Sequence, residues 1–132
     1  MWIMVPKTKE DVISNINSCC DMEYNWDGYQ SLAPSAFVGE QLINIINRMD
    51  NDIIIPCVCP CSGGGIQLEW HNYSIFPYKE LEVELPNELD KVIFLKVIIS
   101  KNENEYPDIM EEGEIELKNI DKIMEVIDWI KN

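Results

Sequence analysis

The sequence has few positive charges and no long apolar run, and both shortages limit what the protein can do. Of its 132 residues, 10 are Lys or Arg and 24 are Asp or Glu, which gives a formal net charge of −14 at pH 7. A surface with this excess repels nucleic-acid phosphates and anionic lipid. No apolar run approaches the roughly 20 residues that a membrane helix needs. We therefore expect no direct nucleic-acid binding and no membrane insertion.

Standard catalytic motifs are also missing from the sequence. It has no P-loop, no dinucleotide-binding GxGxxG after a strand, no HExxH and no G-x-S-x-G. The glycine triplet at residues 63–65 opens into a strand, which is more typical of a hairpin turn than of a phosphate cradle. We predict no catalytic residue and no cofactor.

The five cysteines are an odd number and fit reduced thiols better than a set of disulfides. Because the first ten residues also lack the pattern of a signal peptide, we expect a cytoplasmic protein. Cys57, Cys59 and Cys61 alternate, so on an extended segment they would point to one side and could hold a soft metal, with His71 as a fourth ligand. The spacing matches no standard zinc motif, and Pro60 interrupts a regular strand. We therefore predict no metal site and keep these four residues as its candidate ligands.

The hydrophobic pattern predicts one α+β domain spanning residues 1–132. Thr8 caps a first helix that runs to about Glu23, and Pro34 or Ser35 begins a second that ends near Asp50. A third helix begins after residue 119 or 121. About four antiparallel strands form a meander between them, at residues 53–58, 66–70, 80–85 and 92–99. The last of these is apolar at nearly every position, which is typical of a central strand or one covered on both faces.

The segment NWDGY at residues 25–29 predicts an ordered loop. Asn25 and Asp27 are short polar side chains that bond nearby backbone amides, and Gly28 supplies a positive φ. On one interpretation Trp26 and Tyr29 anchor a rigid loop to the core. On the other, Trp26, Asp27 and Tyr29 form one wall of a groove for a cationic or planar ligand.

Two strands of alternating sequence carry a second group of polar residues. Gln67 and Glu69 on one strand and Glu82 and Glu84 on the next should share the face opposite the apolar residues between them. Facing carboxylates repel unless a cation, a basic partner side chain or a proton intervenes. The cluster is thus a candidate site for a ligand or partner, or else a solvated outer face.

Acidic residues are concentrated between Lys101 and Lys118, where no Lys or Arg occurs. We consider two interpretations, a solvated loop that provides solubility and a docking surface for a basic protein. The acidic residues concerned are Glu103, Glu105, Asp108, Glu111, Glu112, Glu114 and Glu116.

Three blocks of sequence, NWDGYQSLAPS at residues 25–35, GGIQLEW at 64–70 and LEVEL at 81–85, occur in an order that carries a resemblance. The chain resembles an uncharacterised family of small bacterial and phage proteins with an NWDGYG-type loop, a GGI-x-LEW strand and an LE-x-E strand. Gln30 stands where that family usually has glycine. The resemblance implies a shared fold and, loosely, mobile or defence-related gene neighbourhoods, but no established activity.

These features favour an acidic protein-binding or inhibitor module that neutralises a basic protein partner, in the manner of an antitoxin, an immunity protein or a phage counter-defence factor. The alternative is a small-ligand or cation-binding module, which requires the NWDGY loop and the hairpin carboxylates to meet in a pocket. A metal-assisted hydrolase that uses the same carboxylates has less support.

Overall fold

The computed structural model describes residues 5–100 and 108–131. Within these ranges the chain forms three helices and five strands, and the strands make one antiparallel sheet in the order β1-β2-β3-β4-β5. The predicted α+β class is therefore confirmed. The elements in chain order are α1 Lys9–Cys20, α2 Ala36–Arg48, β1 Cys57–Pro60, β2 Ile66–Asn72, β3 Tyr78–Leu85, β4 Lys91–Ile99, β5 Asp108–Glu116 and α3 Ile120–Asp128.

The sheet differs from the prediction at its two edges. The prediction had about four strands, and the fifth is β5, formed by part of the acidic segment that one interpretation treated as a loop. Its exposed positions are mostly carboxylates and its inward positions include Gly113, so its pattern lacks the apolar alternation that marks a strand. At the other edge, β1 begins at Cys57, while Ile53 is buried beside the turn that follows α2. Pro60 is tolerated because it ends an edge strand.

Local sequence signals account for where the first two helices begin. The Thr8 hydroxyl oxygen accepts a hydrogen bond of 3.1 Å from the Asp11 amide, and the Ser35 hydroxyl oxygen accepts one of 3.3 Å from the Val38 amide. Each side chain satisfies one of the free amides at a helix start. In contrast, Asn119 precedes α3 without forming a side-chain cap. The third helix therefore depends more on packing.

All three helices pack on one face of the sheet, which we call the inner face. The apolar core joins helix residues to the inward residues of every strand, with Trp70 completely buried. The C-terminal end of α3 is fixed by long-range hydrogen bonds, because Asn72 Nδ2 donates to the Ile130 carbonyl at 2.7 Å and Lys79 Nζ donates to the Trp129 carbonyl at 2.9 Å. These donors satisfy carbonyls that a helix end leaves unpaired.

The first two helices approach each other closely at Gly39. A Cβ atom at this position would lie 2.5 Å from Cys20 Sγ and 3.6 Å from Ile16 Cγ2. Cys20 is half-buried at this contact, and its neighbour Cys19 is fully buried. The glycine thus sets the distance between α1 and α2.

Among the described residues, no helix has the length and apolar character required to cross a bilayer.

Candidate outer-face docking site

The candidate site is the face of the sheet opposite the helices, which we call the outer face. Strand register places Glu69 opposite Glu82 and Gln67 opposite Glu84. Directly paired residues of an antiparallel sheet point to the same side. The four side chains singled out in the sequence therefore share the outer face, while Leu68 between them lies in the core.

Strand β4 contributes an apolar stripe to this face, which we define as Ile93, Leu95, Val97 and Ile99. These side chains are partly exposed, and Ile93 reaches 40% exposure. The stripe has carboxylates on both sides, because the same register pairs β4 with β3 and with β5. The pairs to β3 are Ile93 with Glu84, Leu95 with Glu82 and Val97 with Glu80, and the pairs to β5 are Ile93 with Glu114, Leu95 with Glu112 and Val97 with Ile109.

The carboxylates from β2 and β3 are crowded. Burial raises the pKa of Glu82 above its usual range, and the neighbouring charges of Glu69 and Glu80 raise it further. Gln67 Nε2 donates a hydrogen bond of 2.7 Å to Glu69 Oε1, which partly compensates that carboxylate. The outer face therefore holds negative charge at a cost that a cation or basic side chain would relieve.

His71 lies at one end of the outer face, and both of its ring nitrogens contact glutamate carboxylates. Its Nδ1 is 2.7 Å from Glu80 Oε2, and its Nε2 is 3.8 Å from Glu69 Oε2. The Tyr73 hydroxyl donates to the same Glu80 oxygen, and this hydrogen bond raises the pKa of Tyr73 to about 12. A phenol with that pKa remains protonated at neutral pH. The cluster thus joins β2 to β3 and supplies no activated nucleophile.

The cysteines do not gather into the metal site considered from the sequence. By register Cys57 pairs with Glu69 and Cys59 with Gln67, whereas His71 lies beyond the end of β1. In the part of the chain that the structure describes, no group of three His, Cys, Asp or Glu residues is placed to hold a metal ion. Burial raises the pKa of the Cys59 thiol to about 11, and nearby carboxylates add to the effect. Such a thiol is protonated at neutral pH, so binding a metal would have to displace this proton.

Polar groups of the NWDGY loop are consumed by hydrogen bonds within the loop. Asp27 accepts from the Tyr29 amide at 2.9 Å and from the Ser31 hydroxyl, and Asn25 Oδ1 accepts from the Gln30 amide at 2.7 Å. The hydrogen bond from Ser31, followed by that from the Tyr29 amide, lowers the pKa of Asp27 below its usual range. The arrangement favours the rigid-loop interpretation.

The two aromatic residues of the loop differ in what they do. Trp26 does fix the loop, because its Nε1 donates to the Leu32 carbonyl at 2.9 Å. Tyr29 does not anchor it, since its side chain is 86% exposed at the tip. Gln30 adopts φ +63°, a left-handed conformation that favours glycine, so a side chain at this position strains the backbone of the turn.

The NWDGY loop and the hairpin carboxylates have separate hydrogen-bond partners. The loop is fixed instead to the turn between β1 and β2, where the Leu32 amide donates to the Ser62 carbonyl at 2.9 Å. Among the described residues, no hydrogen bond or ion pair joins Asn25 or Asp27 to Gln67, Glu69 or Glu82. The small-ligand hypothesis, which requires the loop and the carboxylates to meet in a pocket, gains no support from these contacts.

The acidic segment is divided between the two faces of β5. Glu112, Glu114 and Glu116 have outer-face positions, whereas Asp108 and Glu111 have inner-face positions. Several of these carboxylates have lysine partners: Glu111 with Lys96 at 2.7 Å, Glu114 with Lys91 at 2.7 Å and Glu116 with Lys118 at 3.0 Å. Glu103 and Glu105 lie outside the described residues. The outward part of the segment continues the carboxylate row beside the apolar stripe.

Sequence reasoning missed a groove of about 340 Å³ between α3 and the inner side of β4 and β5. Lys96 lines it, with Nζ 5.5 Å from the centre of the Trp129 ring and in an ion pair with Glu111. Lys122 and Glu125 also line it, so opposite charges are interspersed. Its residues come from distant parts of the chain, and no local motif signals the contact.

No protein-family model, curated protein or solved structure matches this chain. The family resemblance therefore stays a prediction, and the geometry of the described residues defines the site. That geometry is an apolar stripe between rows of carboxylates on an open sheet face.

Proposed function

We propose that the protein is an acidic binding module that neutralises a basic protein partner through its outer face. The observation that carries the proposal is the position of the apolar stripe between the carboxylates of β3 and those of β5. Apolar area supplies affinity when it is removed from water, and the carboxylates select a partner of opposite charge and accelerate its approach. The formal net charge of −14 adds a long-range attraction for basic proteins.

An inhibitor of this kind works by covering the basic surface that its target uses, for example a surface that contacts nucleic acid. Such a module needs no catalytic group, only a rigid and complementary face. Five paired strands and a continuous core provide that rigidity. Antitoxins, immunity proteins and phage counter-defence factors are the classes that act in this way, and we propose one of these roles.

The alternatives have less support from the geometry. A small-ligand module would use the NWDGY loop, but the polar groups of Asn25 and Asp27 already bond within that loop. A metal-assisted hydrolase needs a cation beside Glu69 and Glu82, and the described residues offer no group of three ligands to hold one.

The test compares two variants that change net charge equally. Glu82→Gln with Glu84→Gln alters the outer face, whereas Glu23→Gln with Glu40→Gln alters exposed positions in the helical part of the chain. Each immobilised protein is exposed to a nuclease-treated host extract at about 50 mM and about 500 mM salt, since screening weakens charged contacts.

We expect the wild type and the Glu23/Glu40 control to retain one stoichiometric basic protein at low salt, and the Glu82/Glu84 variant to bind it roughly tenfold more weakly. Purified target then gives the dissociation constants by calorimetry. Equal affinity of both variants for every retained protein would show that the outer face is not the docking surface.

A further inference from the structure

Strand β4 has an unusual composition for its position. Its outward residues are all apolar apart from Lys91, whereas the outward residues of β2 and β3 include glutamate at most positions. A strand that is apolar on both faces is typical of a sheet covered on both faces. The core joins all three helices to the inner face, and among the described residues none packs on the apolar stripe. The stripe is therefore open to a further layer supplied from outside the described residues.

Charge limits what this covering layer can be. A second copy of the chain, placed outer face to outer face, would bring Glu82, Glu84 and Glu112 of one molecule against the same carboxylates of the other. Like charges in close contact cost free energy, and desolvation increases that cost. Anionic lipid is disfavoured for the same reason. The layer must instead carry positive charge beside apolar side chains.

The dimensions of the face match one type of element. From Ile93 to Ile99 the stripe extends about 20 Å, which is the length of an α-helix of about 13 residues. The carboxylate rows of β3 and β5 lie two strand spacings apart, about 9.6 Å, and a helix with its side chains is about 10 Å across. A helix that lies along β4 would thus reach both rows with cations on its two flanks.

We propose that the outer face binds a basic amphipathic α-helix of the partner along β4, with an apolar stripe on Ile93, Leu95 and Val97 and with Lys or Arg on both flanks. This inference rests on the proposed function and specifies the partner's element. The helix completes a three-layer arrangement of helix, sheet and helix, in which the protein supplies two layers and the partner the third. Its apolar residues repeat every three or four positions.

The test uses two synthetic peptides of about 14 residues with identical Leu and Lys composition. One has the helical period, and the other alternates Leu with Lys so that it favours a strand. Affinity is measured by calorimetry at about 150 mM salt, and backbone amide shifts of the labelled protein locate the contact. We expect the helical peptide to bind at least about tenfold more tightly and to shift the amides of β3, β4 and β5.

A charge-adding variant separates apolar docking from general attraction. Leu95→Glu makes the protein more acidic, so simple attraction predicts tighter binding of a cationic peptide, whereas docking on the stripe predicts weaker binding. Phe37→Glu makes the same charge change on α2, where the side chain is 42% exposed, and serves as the control. We expect weaker binding for Leu95→Glu alone. If this variant does not fold, the amide shifts of the wild type still decide the location.

The outcomes separate this inference from the proposed function. Equal binding of both peptides, or shifts spread over α1 and α2, would overturn the helix inference but leave the Glu82/Glu84 result standing. A dimer of the protein alone that Leu95→Glu dissociates would overturn it in favour of a second copy. The proposed function would instead be wrong if the Glu82→Gln and Glu84→Gln variant bound the basic target as tightly as the wild type does.

Discussion

The openness of the outer face can be tested by truncating two adjacent residues of β4 that point to opposite faces. Phe94 is 6% exposed on the inner face, and its Cε1 atom is 3.1 Å from the position that a Cβ atom on Gly113 would occupy. Leu95 belongs to the apolar stripe and is partly exposed. Both residues lie between the same two strands, β3 and β5, so the comparison reports the difference in burial between the two faces of the sheet. We predict that Phe94→Ala destabilises the protein far more than Leu95→Ala.

The expected magnitudes follow from burial. Phe94→Ala removes a ring from a packed core and leaves a cavity, which costs about 3–5 kcal/mol. Leu95→Ala removes a side chain that is already partly in water, so the loss is about 1 kcal/mol. A domain of this size is stable by about 5–15 kcal/mol in total. The Phe94 variant should therefore be near the limit of folding, and Phe94→Leu provides a milder version of the same comparison.

Urea unfolding followed by tryptophan fluorescence measures both variants, because Trp70 is fully buried and should report loss of the core. The free energies of unfolding are compared when the variants have the same m-value, which is the slope of unfolding free energy against urea concentration. A Leu95→Ala cost as large as that of Phe94→Ala would refute the reasoning, since the outer face would then be covered in the isolated protein. Sedimentation of the wild type would show whether a second copy supplies that cover.

Two further predictions concern the helix contact and the crowded carboxylates. Gly39→Ala should lower the melting temperature because the new methyl group clashes with Cys20 Sγ, although alanine is preferred in helices by about 1 kcal/mol. In a Cys20→Ala background, where the clash is absent, the same change should raise the melting temperature. A rise in both backgrounds would contradict the close approach. Glu82→Gln should increase stability at neutral pH, because burial and Glu69 raise the pKa of the folded carboxyl above its unfolded value. This gain should shrink as the pH falls through the raised pKa, since protonation removes the same charge. Urea unfolding at several pH values measures the difference in stability between wild type and variant, with Glu23→Gln as the control. A difference that stays constant with pH would contradict the prediction.

Local patterns predicted the elements that depend on few residues. Thr8 and Ser35 cap their helices because capping uses a side chain and an amide three residues apart. The face shared by Glu69 and Glu82 followed from the period of two in each strand. In contrast, β5 was missed because Gly113 and the surrounding carboxylates gave no apolar alternation. Its strand conformation is stabilised by pairing with β4, which the sequence does not reveal.

The candidate site was predicted in part. Alternation grouped Gln67, Glu69, Glu82 and Glu84, but it gave no sign that β5 would add Glu112 on the far side of the apolar stripe. The exposure of Tyr29 was also beyond prediction, because the direction of a loop side chain depends on the left-handed residues around it.

The sequence by itself determined the acidity of the protein, the α+β class, the starts of the first two helices and the faces of β2 and β3, because each depends on composition or on neighbours within a few residues. Tertiary structure alone decided the addition of β5, the division of the acidic segment and the position of Lys79 and Lys96 around Trp129. Those contacts join residues far apart in the chain, so their free energy arises only when the sheet is assembled and no local pattern records it.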